Sequence, residues 1–135
     1  MGAHPMTASL TWQDDLRLSA TVGSNAVVLD SDGKAGISPV QALAISIAGC
    51  MAMDVVDILR KGRHPLRGLD VAFEGDRAEN PPRRFVRVKL SFLVHGEVPS
   101  EAVTRAIALS HEKYCSVSNS LRPDIDFVTA FEVKP

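Results

Sequence analysis

Cysteine is scarce in this chain: 135 residues contain two, at positions 50 and 115. A small secreted scaffold stapled by disulfides needs a denser set, so that class is excluded. The two form no C-x-x-C pair, and His64, His95 and His111 are scattered without paired-ligand spacing, so neither a metal nor a cofactor is expected. Gly33-Lys34-Ala35-Gly36 matches no phosphate loop or dinucleotide fingerprint, and no Gly-x-Ser-x-Gly elbow occurs. A surplus of charge is missing as well. Fifteen Lys+Arg stand against sixteen Asp+Glu, and a net charge of −1 offers nothing to nucleic acid or an anionic membrane. The opening MGAHPMTASLTWQDD lacks a basic stretch followed by an apolar run, so no secretory leader is expected and the cytoplasm is the default location.

What is present suits one compact α+β domain over residues 1–135, with 45% apolar and 23% charged residues. Residues 40–53 carry no charge, the longest such apolar stretch. At 14 residues, followed by Asp54 and Asp57, it falls short of the roughly 20 a membrane span needs, so insertion is not expected. It reads instead as a buried helix over 39–61. Ser38 is a good N-cap, Pro39 suits the first turn, and Gln41 completes a capping box. Arg60 and Lys61 favour the far dipole end, and Gly62 offers a left-handed cap. Such a helix is roughly 35 Å long at about 1.5 Å per residue. Residues 42–48 are apolar on nearly every face, more surface than a short chain covers alone, and pairing of two chains would solve this.

Strands are expected over 10–18 and 25–30, with Gly23-Ser24 as the turn, and over 68–77. The clearest strand alternates Val86, Val88, Leu90, Phe92 and Val94 with Arg87, Lys89 and Ser91. A second helix begins near Pro99 with Val103, Ala106, Ile107 and Ser110 inward, Tyr114-Cys115-Ser116 form a junction, and 127–133 closes the chain as a strand.

Taken alone, both cysteines have an ordinary reading as small buried hydrophobes. Gly49, costing about 1 kcal/mol in a helix interior, suggests close approach beside Cys50. Asp54 and Asp57, at i+4 and i+7, put carboxylates on its face, which raises a thiol pKa, so activation needs a cation from elsewhere. Cys115 stands near a helix end, with His111 one turn earlier and Lys113 close by.

The run Ser38-Pro39-Val40-Gln41-Ala42-Leu43 through Ala48-Gly49-Cys50-Met51-Ala52-Met53-Asp54-Val55-Val56 resembles the central-helix signature of the OsmC/Ohr family of thiol peroxidases. Leu109-Ser110-His111-Glu112-Lys113-Tyr114-Cys115-Ser116-Val117 is similar to its second-cysteine segment, and Pro82 and Phe85 fit the hairpin between. The resemblance spans essentially the whole chain. It implies a long central helix wrapped by antiparallel sheet, in an intertwined homodimer. It further implies reduction of organic or lipid hydroperoxides, with Cys50 peroxidatic and Cys115 resolving, and recycling by a dithiol of lipoyl or thioredoxin type.

The chain departs from the peroxidase pattern where that family carries a glutamate after the helix-start proline: Val40 stands there, with Gln41 next. It resembles a less characterised OsmC-like branch, in which Arg77, or else Arg17 of the N-terminal hairpin, is a candidate for the cation beside Cys50. Ile47, Met51 and phenylalanine residues are expected to give an alkyl peroxide an apolar lining. Loss of the glutamate leaves a second reading open, a non-catalytic redox sensor or small apolar ligand binder. A third is a structural domain with inert cysteines.

Overall fold

The computed structural model describes residues 4–135. It divides into two compact units, one running to Leu43 and the other from Ala44 onward.

The first unit is an antiparallel meander of β1 (Ser9–Asp14), β2 (Arg17–Val22) and β3 (Asn25–Asp30). The single strand expected over 10–18 is a hairpin. Asp15 takes a left-handed backbone (φ 41°), which Asp tolerates better than most residues, and the Trp12 indole N–H donates to its carbonyl at 2.8 Å. Gly23, at φ 60°, makes the expected second turn. Beyond β3 the 4%-exposed Asp30 carboxylate accepts the backbone N–H groups of Ala35 (2.9 Å) and Asp32 (3.0 Å). These bonds hold its pKa below the usual carboxylate range.

Helix α1 (Pro39–Lys61) has the expected bounds. Its capping box is formed: the Ser38 N–H donates to Gln41 Oε1 at 2.9 Å and the Gln41 N–H to Ser38 Oγ at 3.1 Å. By length and composition alone α1 is long and apolar enough to cross a bilayer. Ile47, Met51, Val55 and Leu59, spaced by four, are nevertheless packed inside protein at 1% exposure or less, as in a core helix. At its end Arg63, not Gly62, takes the left-handed conformation (φ 61°). The His64 N–H reaches the Leu59 carbonyl and the Arg63 N–H that of Arg60, a complete Schellman closure. Gly62 serves close approach instead, since a Cβ there would come within 2.9 Å of the His64 ring.

The rest of the second unit comprises β4 (Gly68–Arg77), β5 (Phe85–His95), α2 (Ser100–Leu109) and β6 (Asp126–Lys134), with sheet order β4-β5-β6. Antiparallel pairing holds for β4–β5, whereas β6 runs parallel to β5 because α2 carries the chain back across the sheet. In β5, Val88, Leu90, Phe92 and Val94 are buried as the alternation requires. Val86 is not, because the register slips between Asp76 and Arg77, where Asp76 pairs with Arg87 but Arg77 pairs with Phe85. The extra residue turns Phe85 into the core in its place.

Candidate redox site

Four residues after Cys50, Asp54 lies on the same face of α1. Cys115 arrives from the other side of the sequence. After α2 the helix widens into a π-turn, Ser110–Tyr114, and the Cys115 N–H closes it on the Ser110 carbonyl at 2.7 Å. Ser110 is fully buried, and its hydroxyl donates to Asp54 Oδ2 at 2.8 Å, tying α1 to the turn that delivers Cys115. The result is a cluster in which Cys50 Sγ, Cys115 Sγ and an Asp54 carboxylate oxygen all lie within 4.8 Å of one another.

A short 3-10 turn, Ser118–Ser120, follows. The Ser118 N–H donates to Cys115 Sγ at 3.3 Å, while the Val117 N–H is directed at Cys50. Asn119 fastens the loop, its side-chain amide donating to the carbonyls of Cys115 (2.9 Å) and His111 (3.0 Å). Cys115 is wholly buried and Cys50 half-buried.

Burial is the largest influence on the Cys50 thiol and raises its pKa above the ordinary range. The Val117 N–H works against this, while a hydrogen bond shared with Cys115 and the charges of Cys115 and Asp54 push further upward. None of these influences is a cation. A disulfide between them needs the sulfurs to close to about 2.05 Å.

The other sequence candidates sit elsewhere. Gln41 is engaged in the capping box. Arg77 is exposed at the end of β4 and donates to the Arg83 carbonyl at 2.8 Å. Arg17 pairs within the N-terminal meander with Asp14 (3.2 Å) and Asp30 (3.8 Å). Ile47 and Met51 are fully buried and so line no open cleft, contrary to expectation. Nor does Gly49 serve a close approach, for an added Cβ would meet nothing within 4 Å among the described residues. Sequence reasoning missed the roles of Ser110, Val117 and Ser118. Asp54's i+4 spacing and Ser110's inward placement were their visible traces.

With this geometry in view, the relatives of the chain can be placed. The family profile described as "OsmC-like protein" matches residues 31–130. Protein YhfA of Escherichia coli K12 is 34% identical over 131 residues, covering 95% of this chain and 98% of its own length. A crystal structure of a protein from Aquifex aeolicus VF5 superposes with a TM-score of 0.90 at 25% identity, covering 98% of each chain. An organic hydroperoxide resistance protein from Elizabethkingia anophelis has the same fold, with a TM-score of 0.72 at 16% identity over 99% of this chain and all of that one. Two cysteines joined by a long helix and a π-turn are thus carried on a fold shared with these proteins, and the chain belongs to the OsmC-like protein family.

Proposed function

We propose that the protein reduces organic or lipid hydroperoxides with Cys50 and Cys115 as a thiol pair, in defence against oxidative stress. The observation that carries this reading is the approach of the two sulfurs to within 4.8 Å across 65 positions of sequence. In the first step the Cys50 thiolate attacks the peroxide O–O bond. Sulfur takes the hydroxyl as a sulfenic acid, and the alkoxide leaves with the thiol's proton as an alcohol. In the second, Cys115 attacks that sulfur, the disulfide forms and water leaves. A dithiol of lipoyl or thioredoxin type then returns two electrons and two protons. The organic character of the substrate is supported by a fold shared with a protein named for organic hydroperoxide resistance. The functional unit is a cytoplasmic homodimer, each chain acting as one domain. Ile45 and Met53, exposed at 61% and 75% on an apolar helix, support the pairing.

The test is intact mass of reduced protein after treatment with cumene hydroperoxide, under denaturing conditions. Wild type loses two hydrogens, and Cys115→Ser accumulates a sulfenic acid at Cys50. If Cys50 stays reduced at peroxide concentrations that oxidise a generic thiol, the reading fails.

One observation favours a second reading. No cation stands among the main influences on the Cys50 thiol, which suits a site that oxidises once as a redox sensor rather than turning over. Steady-state peroxide consumption with a lipoyl or thioredoxin-type reductant separates the two: turnover supports the enzyme, a single oxidation event the sensor.

A further inference from the structure

We infer that the reduced site is also a binding site for one thiophilic divalent cation of the zinc class, held by Cys50 Sγ, Cys115 Sγ and an oxygen of Asp54. The inference stands whether or not the pair reduces peroxides. Two thiols and a carboxylate are a donor set suited to zinc, and all three donor atoms already lie within 4.8 Å of one another. Around a tetrahedral zinc, bonds of about 2.3 Å to sulfur and about 2.0 Å to oxygen place the sulfurs roughly 3.8 Å apart and each sulfur roughly 3.5 Å from the oxygen. Closing to that size takes a contraction of at most about 1.3 Å, which rotation of the half-buried Cys50 and Asp54 side chains would supply.

Charge points the same way. Cys50 and Cys115 repel one another as thiolates, and Asp54 repels both. A divalent cation attracts all three groups and outweighs their mutual repulsion. The supporting groups are in place. The buried Ser110 hydroxyl orients the carboxylate by donating to Oδ2. The Ser118 N–H on Cys115 and the Val117 N–H on Cys50 would stabilise thiolate ligands. Cys115 and Ser110 form the closed floor and the half-buried Cys50 and Asp54 the side open to an incoming ion, with a fourth position left to water. Binding displaces two thiol protons, so affinity rises with pH. It also engages a lone pair on each sulfur and lowers its nucleophilicity, so the loaded site resists oxidation.

The experiment is an anaerobic titration of the reduced full-length chain with Co²⁺, followed by displacement with Zn²⁺. The expected result is a sulfur-to-cobalt charge-transfer band saturating at one ion per chain and abolished by zinc. Cys50→Ser and Cys115→Ser each weaken binding at least 100-fold, and Asp54→Asn weakens it about 10-fold or more, with Ser110→Ala smaller in the same direction. Thermal melts of the metal-free variants separate loss of ligand from loss of fold, and Cys50→Ser, at a half-buried position, carries the conclusion if Cys115→Ser does not fold. Absence of the band, unchanged affinity in Cys50→Ser, or unchanged affinity in a folded Asp54→Asn overturns the site as drawn. In peroxide assays zinc should slow disulfide formation and a chelator restore it. Wild type that never oxidises defeats the peroxidase reading and leaves the titration intact.

Discussion

The two units of this chain are built by different means. The N-terminal meander has little interior: all of β1 is exposed, and Trp12, Leu10 and Val27 stand 69%, 54% and 48% open. What orders it is local. A left-handed Asp15, a glycine turn and the Asp30 carboxylate gathering N–H groups of the next loop all act within a few residues. The second unit is held by a core in which Val88, Leu90, Phe92 and Val94 of β5 and the four-spaced stripe of α1 are excluded from water. The redox cluster belongs to this second kind. Its members come from positions 50, 54, 110 and 115, and only a packed interior can hold them in register. The difference teaches that a site of two distant thiols is an outgrowth of the core, whereas the first unit is ordered by bonds between near neighbours in sequence.

Four substitutions probe that contrast, the largest effect first. Phe92→Ala should lower stability by about 3–5 kcal/mol in urea unfolding, because a fully buried aromatic leaves a cavity in the second unit. A loss under about 1 kcal/mol would deny that this core carries the fold. Ser110→Ala should lower stability by about 1–3 kcal/mol, since the half-buried Asp54 loses its donor. It should also slow closure of the disulfide, read by intact mass after peroxide. Stability lost without slower closure would mean that Ser110 braces the fold and not the cluster.

Asp30→Asn tests the first unit through pH. Asp30 has a folded-state pKa below its unfolded value, so its contribution is complete above the unfolded pKa of about 3.9 and is lost as pH falls through the depressed value. The stability gap between wild type and Asp30→Asn should therefore be widest near neutral pH and shrink in acid, and a gap independent of pH would contradict this. Trp12→Ala should have the smallest effect, within about 0.5 kcal/mol, because the indole is 69% exposed. A loss several times larger, varying with protein concentration, would sharpen the comparison differently. It would mean that the meander is covered by a second copy of the chain in solution.

Legibility from sequence follows the same division. The bounds of α1 were readable because Ser38, Gln41, Arg60 and Lys61 act on the backbone within a turn of themselves. The inward face of α2 was equally plain from its periodicity. The hairpin at Asp15 was not, since its turn uses no glycine and is stabilised by an indole bond three residues back. Val86 fooled the alternation because a bulge is set by the partner strand's register, which the strand's own residues do not encode. Gly62 and Gly49 were misjudged for one reason: a glycine announces freedom or space, and which of the two, or whether any neighbour uses it, depends on what stands opposite.

By itself the sequence determined the capped central helix, the strands after it in outline, the second helix and the two cysteines in their family contexts, because periodicity and capping act over a few residues. Tertiary structure alone decided that Cys50 meets Cys115, that Asp54 faces both and is held by Ser110, and that the expected arginines and Gln41 are engaged in other bonds. Those outcomes depend on distances between residues far apart in the chain, and such distances arise only when the core closes and excludes water.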